Sequence, residues 1–249
     1  MDLKFKEKFA LKIQYLVGWI TFPFWGTFYI AFMRFVCRYK VQQLREIRRH
    51  YKQLKRSVEG PIIVCSNHLT KIDSVILNWS LASIFSYMRS FKIFSWNLPE
   101  RANIHQNFIL RILCYLGSCV PIDRGGSRSA VNKSLDKVIY LLKKGHTITV
   151  FPEGSRSRTG RIDLGSLTYG VGRLVNKFTD CNVLCVYLRG HNQEEYSSIP
   201  PRGARFYVDM ELIRPRSTYS GLRATRDVAS QIISKLGLME QAYFATVRK

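Results

Sequence analysis

The pattern of apolar and polar positions changes character near residue 60. Ahead of that point, Ile13 to Met33 is a run of 21 uncharged residues, just long enough to cross a bilayer as a helix. Pro23 lies inside the run between Gly18 and Gly26. Two short helices broken near the proline and dipping into one leaflet therefore fit as well as a span. Tyr15, Trp19, Trp25 and Tyr29 are residue types of the headgroup interface. Val41, Leu44, Ile47, Tyr51 and Leu54 then recur at spacings of three and four, the apolar stripe of a helix. Its other faces carry Arg38, Arg45, Arg48, Arg49, Lys52 and Arg56. Such a helix suits an anionic lipid surface, and a buried core helix with a solvated basic face is the alternative.

From residue 61 the pattern predicts alternating strands and helices. Strands are expected at 61–66, 91–96, 147–151, 183–188 and 205–212, with a short strand end at 120–122. Helices are expected at 74–81, 108–116, 130–144 and 222–236. Asp73 is placed to cap the first of these helices, and Gly145 closes the third. The predicted class is α/β: a mixed sheet flanked by helices, with an N-terminal membrane-associating helical segment. The predicted division is residues 1–58 for that segment and 59–249 for the α/β domain.

Composition narrows the functional classes. The chain has 249 residues and a formal charge of +22, with 39 Lys and Arg against 17 Asp and Glu. Residues 1–60 hold 13 of the basic and 4 of the acidic residues, so the charge is densest beside the apolar run. Such a charge calls for a polyanionic partner, either nucleic acid or anionic membrane. The placement favours membrane, and the chain carries no RNA-binding, helix-turn-helix or zinc-finger signature. The basic bias puts the chain beyond the apolar run on the cytoplasmic face of a membrane. Six scattered cysteines without a CxxC pair argue against a disulfide scaffold. His50, His105, His146 and His191 make no metal-ligand spacing, so no metal is expected.

Three motifs stand at predicted strand ends. The first is Asn67-His68-Leu69-Thr70-Lys71-Ile72-Asp73. On one straight helix His68 and Asp73 would lie about 140° apart. They can meet if His68 is in the loop and Asp73 in the first helical turn. The carboxylate would then hold one ring nitrogen and fix the tautomer, the orienting logic of a catalytic triad without its nucleophile. An ordinary loop histidine beside an N-cap aspartate fits the same residues. The second motif is Phe151-Pro152-Glu153-Gly154-Ser155-Arg156-Ser157-Arg158-Thr159-Gly160. Gly154 permits close backbone approach. Arg156 and Arg158 share a side if the loop is extended and can bracket a phosphate; a solvated basic loop is the plainer alternative. The third is Pro121-Ile122-Asp123-Arg124-Gly125-Gly126, which by itself reads as a turn.

Taken together and in this order, the three blocks resemble those of the glycerolipid acyltransferase family typified by 1-acylglycerol-3-phosphate acyltransferase. The resemblance covers roughly residues 60–190. It implies that His68 is a general base, that Asp73 orients it, and that Arg124, Glu153, Gly154, Ser155 and Arg156 bind the acyl acceptor, with Arg158 a further phosphate contact. The chain departs from the family pattern at Leu167-Thr168-Tyr169-Gly170, which lacks a basic residue, and at Cys185, where a proline is usual. The implied reaction is transfer of an acyl group from acyl-CoA or an acyl carrier protein thioester to a lysophospholipid hydroxyl. No cofactor is expected beyond that co-substrate, and no nucleic-acid partner. With no G-x-S-x-G turn in the chain, direct attack without an acyl-enzyme is expected. A thioester hydrolase and a catalytically silent membrane protein are the rival readings.

Overall fold

The computed structural model describes residues 3–105, 107–123, 125–165, 168–178 and 180–248. The chain divides into two compact units, Met1–Tyr29 with Ile84–Thr149 and Ile30–Ser83 with Val150–Lys249, called here the first and second units.

The chain opens with α1 (Phe5–Ala31), one continuous helix in which Pro23 is an interior residue. The break expected at the proline is therefore absent. Its buried residues, Leu11, Gln14, Gly18, Phe22 and Gly26, recur at helical spacing and form one face packed on the first unit. Phe22 meets the rings of Tyr87, Phe91 and Phe94. Gly18 sits where a side chain would press on Phe91 and on the Leu116 carbonyl. Packing along the whole face holds the helix through the site where Pro23 removes a hydrogen bond. The helix continues into a short π turn, Phe32–Val36, closed by Cys37 N–H to the Phe32 carbonyl at 3.0 Å.

In the second unit a two-residue strand, β1 (Lys40–Val41), precedes α2 (Leu44–Arg56). The basic helix expected across Arg38 to Arg56 is thus confined to 44–56, and Val41 belongs to a strand. Ile47 and Tyr51 of α2 are buried. The helix packs on α3 (Asp73–Leu81), and Arg48 donates to the Trp79 carbonyl at 2.7 Å. The stripe thus faces protein.

The second unit's sheet is mixed. β2 (Ile62–Ser66) runs parallel to β5 (Asn182–Gly190), β5 runs antiparallel to β6 (Arg205–Ile213), and β1 joins β6 in parallel. Every residue of β2 and β5 is buried, as expected for central strands covered on both faces. In the first unit, α4 (Ile84–Arg89) leads to a 3₁₀ turn at Phe91–Ile93 and then β3 (Trp96–Asn97), so the expected 91–96 strand is only its last residue. Phe91 and Phe94 turn inward against Phe22 instead of alternating across a sheet. After β3 come α5 (Arg101–His105), α6 (Phe108–Leu116), α7 (Arg128–Lys143) and β4 (Ile148–Val150), which pairs in parallel with β3. The second unit ends with α8 (Tyr169–Val175) and the long α9 (Gly221–Thr246). α9 outruns its expected end at 236 because Met239, Glu240 and Tyr243 continue its buried face past Gly237.

Candidate active site

The site forms in the second unit, where β2 ends. Asn67, the first residue beyond the strand, is buried and clasps the β5 backbone with both ends of its amide. It donates to the Leu188 carbonyl and accepts from the Leu188 N–H, each at 2.8 Å. This pair extends the β2–β5 register by one side chain and fixes the exit direction of the chain. His68 comes next, with its side chain 22% exposed.

His68 Nδ1 lies 2.9 Å from Asp73 Oδ2. The same oxygen accepts the backbone N–H groups of Leu69 at 2.6 Å and Thr70 at 2.7 Å, and Oδ1 accepts the Thr70 hydroxyl. Asp73 is buried, so these donors replace its lost hydration. This arrangement corrects one expectation. Asp73 is the first residue of α3, but its carboxylate folds back onto the preceding loop instead of capping the helix N–H groups. A loop that curls around the carboxylate brings the histidine ring to it. With an acceptor at Nδ1, that nitrogen carries the proton and Nε2 presents its lone pair.

The second motif supports the ring from beneath. Phe151 stacks on His68 with centroids 4.1 Å apart and planes inclined by 19°. Glu153 is buried, and its Oε1 accepts the His68 backbone N–H at 3.1 Å. Its Oε2 has no hydrogen-bond partner among the described residues. Burial pushes the Glu153 carboxyl up to about 7; the backbone N–H groups of His68 and Asp163 oppose the rise, and the charges of Glu240 and Asp163 add to it. Ser157 N–H returns to the His68 carbonyl at 2.9 Å, so His68 is tied to the 151–160 loop at both its N–H and its carbonyl.

Two glycines shape that loop. Gly154 has φ +75° and closes a turn onto the Phe151 carbonyl at 3.0 Å. Gly160 has φ +67°, and a Cβ there would collide with the Glu194 carbonyl. Buried Arg189 joins the two neighbouring loops by donating to the Gly160 carbonyl at 2.5 Å and the Gln193 carbonyl at 2.7 Å. Its charge is met by Glu240 of α9 at 3.5 Å, which also accepts from Ile162 N–H at 3.1 Å.

The structure thus brings His68, Asp73 and Glu153 together in one hydrogen-bonded cluster. Half-buried Arg156 donates to the Ser197 carbonyl at 3.2 Å and lies over Tyr196, which leaves most of its donors free. Ser155 and Arg158 are exposed, and Arg158 has no hydrogen bond or ion pair among the described residues. Arg124 lies outside the described residues. Sequence reasoning assigned no role to Phe151, Thr70 or Asn67, although all three sit inside the motifs. It missed Arg189 and Glu240 entirely, and an arginine directly after the apolar run Val183–Leu188 was the available signal for the first. Cys65, also in β2, is fully buried, and desolvation with the neighbouring Cys185 and Cys181 drives its thiol well above the ordinary range. It is a core residue and not a nucleophile.

Comparison with known proteins covers the part of the chain that holds this cluster. The family model described as Acyltransferase matches residues 38–189, more than half of the chain. The 1-acyl-sn-glycerol-3-phosphate acyltransferase LPAT1, chloroplastic, of Arabidopsis thaliana is 32% identical over 137 residues, which are 54% of this chain and 33% of that protein. The N-acylphosphatidylethanolamine synthase of Arabidopsis thaliana is 27% identical over 94 residues, 38% of this chain and 32% of that protein. The chain matches about a third of the length of these curated relatives.

Proposed function

Because the chain belongs to the acyltransferase family, we propose that it moves a fatty acyl group from an acyl thioester to the hydroxyl of a lysophospholipid, foremost 1-acylglycerol-3-phosphate to give phosphatidic acid. The observation that carries this reading is the His68–Asp73 pair, with Nδ1 held at 2.9 Å and Nε2 free beside a loop of unneutralised arginines. The relative that acts on 1-acylglycerol-3-phosphate supports the choice of acceptor.

In the transfer step the acceptor hydroxyl donates to His68 Nε2. As its oxygen bonds to the thioester carbonyl carbon, the proton passes to Nε2 and the carbonyl oxygen takes the negative charge. The C–S bond then breaks, the carbonyl re-forms, and the departing thiolate takes the proton from Nε2. Ester and free thiol are the products, and His68 is regenerated. Asp73 stabilises the transient imidazolium and keeps its orientation. A base so placed contributes about 10²–10⁴-fold. Stacking on Phe151 and the anchored backbone keep the ring from rotating away, which is the positioning the step needs. Arg156 and Arg158, with Arg124, supply the phosphate contacts, each charge-assisted bond contributing about 1.5–3 kcal/mol. The acceptor is a membrane lipid, and the acyltransferase domain works at the cytoplasmic face of a membrane.

The test is incubation of the full chain with a labelled acyl-CoA or acyl carrier protein thioester and a panel of acceptors. The panel includes lysophosphatidic acid, zwitterionic lysolipids and phosphatidylethanolamine, with products read by mass. Phosphatidic acid as the main product is expected. Free fatty acid alone would make the protein a hydrolase. Preferred acylation of an uncharged or zwitterionic lysolipid would overturn the assigned acceptor.

A further inference from the structure

A helix with apolar residues all round its circumference is normally sunk in a core or a membrane. In the first unit, α1 and α6 both leave large apolar side chains exposed. α1 packs on its own unit along the line from Leu11 to Gly26, yet its outer face carries Ile20, Phe24 and Phe28, which are 65%, 79% and 72% exposed. α6 is nine residues long, has the sequence FILRILCYL, and has no buried residue. Its leading residues Phe108 and Ile109 are 72% and 67% exposed. The two surfaces belong together, because α6 is pinned to α1 at its trailing end. Gln14 of α1 donates to the Tyr115 carbonyl at 3.1 Å and the Cys119 carbonyl at 3.0 Å. The helix is otherwise well formed, with Asn107 capping it through Leu110 N–H at 3.1 Å. Exposed apolar surface on this scale marks an interaction site.

We propose that α6 is a membrane-inserting element that buries Phe108, Ile109 and Leu113 in one leaflet beside the outer face of α1, with α1 lying in the plane of the interface. Charge selects the occupant. Lys4, Lys6 and Lys12 are exposed on and next to the start of α1, and Arg111 is exposed in the middle of α6. Glu7, the acidic residue of α1, is engaged by Lys133 at 3.2 Å. Anionic headgroups would neutralise these cations, and Arg111 can reach them with its stem along the apolar surface. A second copy docked on the same face would set the like charges against one another. The in-plane attitude comes from the inner face. Trp19 donates to the Met88 carbonyl at 2.9 Å, and Phe22 is wedged among the rings of the first unit. A helix that left the unit to cross the bilayer would forfeit both. The proposal rests on the acyltransferase reading only for the choice of lipid as partner.

The decisive experiment is co-sedimentation of the full chain with phosphatidylcholine vesicles containing phosphatidylglycerol, comparing wild type with Phe108→Asp/Ile109→Asp/Leu113→Asp. These side chains are exposed, so the fold should tolerate the changes; circular dichroism and thermal melting check that it does. The partition coefficient should fall at least about tenfold, the scale of several apolar side chains returned to water. Sedimentation reads binding without turnover, so a chain that transfers no acyl group but loses partition on substitution still supports the role of α6. Unchanged partition of the triple variant overturns it. So does unchanged partition accompanied by loss of a wild-type dimer, which would make this face a contact between copies.

Discussion

The cluster around His68 and the outer surface of the first unit invert the usual distribution in opposite senses. In the second unit, Asn67, Thr70, Asp73 and Glu153 are polar and buried. In the first, Phe24, Phe28, Phe108 and Ile109 are apolar and exposed. Each inversion costs stability. A buried carboxylate must recover its hydration from hydrogen bonds, and exposed phenylalanines forgo burial worth roughly 1.5–3 kcal/mol each. Such local departures are where function is expected. The difference lies in what completes each region. The Asp73 carboxylate at the centre of the polar cluster is completed by the chain's own groups, with four donors on it. The apolar surface is left exposed, and the proposed lipid contact is what would cover it. Chemistry and docking should therefore be separable by substitution.

The largest separation is expected at His68. His68→Ala should lower kcat by at least about 10²-fold while vesicle partition stays near wild type and the fold is kept, because Asp73 retains three donors and the backbone bonds of residue 68 do not need the ring. Near-normal turnover would remove the base from the mechanism. Asp73→Asn comes next. It removes the charge that stabilises the imidazolium and places an NH2 among donors from Leu69 and Thr70. Turnover should fall at least about tenfold, and unfolding should become easier by about 1–3 kcal/mol, the cost of mismatched buried groups. Enzyme assays alongside denaturant melts read both. A loss of activity with an unchanged melt would mean that Asp73 acts on the ring alone and does not organise its loop.

Arg156 tests how far the cluster extends toward substrate. Arg156→Ala should raise the acceptor KM by about one to two orders of magnitude, the loss of one charge-assisted contact, with the thioester KM little changed. A rise in donor KM alone would reassign the residue to the phosphates of the thioester. Lipid partition should again be unaffected, because Arg156 belongs to the second unit and its loop.

How legible each region was in the sequence obeys the same division. The His68–Asp73 pairing could be read because both residues sit in one short block directly after a strand. The fold-back that realises it could not, since an aspartate at a helix start suggests a cap, and only the loop geometry shows the carboxylate taking Leu69 and Thr70 N–H instead. The helices were legible as helices but not by what they face. α2 carries a clear apolar stripe beside a basic one and suited a lipid surface, yet Ile47 and Tyr51 are buried in protein. α6 looked ordinary and has no buried residue. Tyr15 and Trp25 suited a headgroup belt, yet Tyr15 packs on Phe91 and His146, and Trp25 on Phe22 and Phe94. Periodicity identifies a face, whereas its partner is set by tertiary contacts distant in sequence.

The finest test concerns Glu153, which the family resemblance assigns to the acceptor and whose buried side chain bonds to the His68 backbone at 3.1 Å. Desolvation lifts its carboxyl from an ordinary 4.5 to about 7. In the unfolded chain the group gives up its proton near 4.5, while in the folded protein it keeps it until about 7. Between these values the unfolded state binds fewer protons, so stability declines as pH rises through the window and levels off above it. The full effect is at most about 3.5 kcal/mol, from about 1.4 kcal/mol per pKa unit. Glu153→Gln keeps an oxygen to accept the His68 N–H but cannot ionise. Denaturant melts at intervals from about pH 4.5 to about pH 8 should therefore show the variant gaining on wild type as pH rises, with the difference levelling off above about 7. If Glu153 serves the backbone of His68, the variant should also keep its acceptor KM within a few-fold. A constant stability difference across the window would mean that the carboxyl is not confined as the structure has it, and a large rise in acceptor KM would return Glu153 to the substrate.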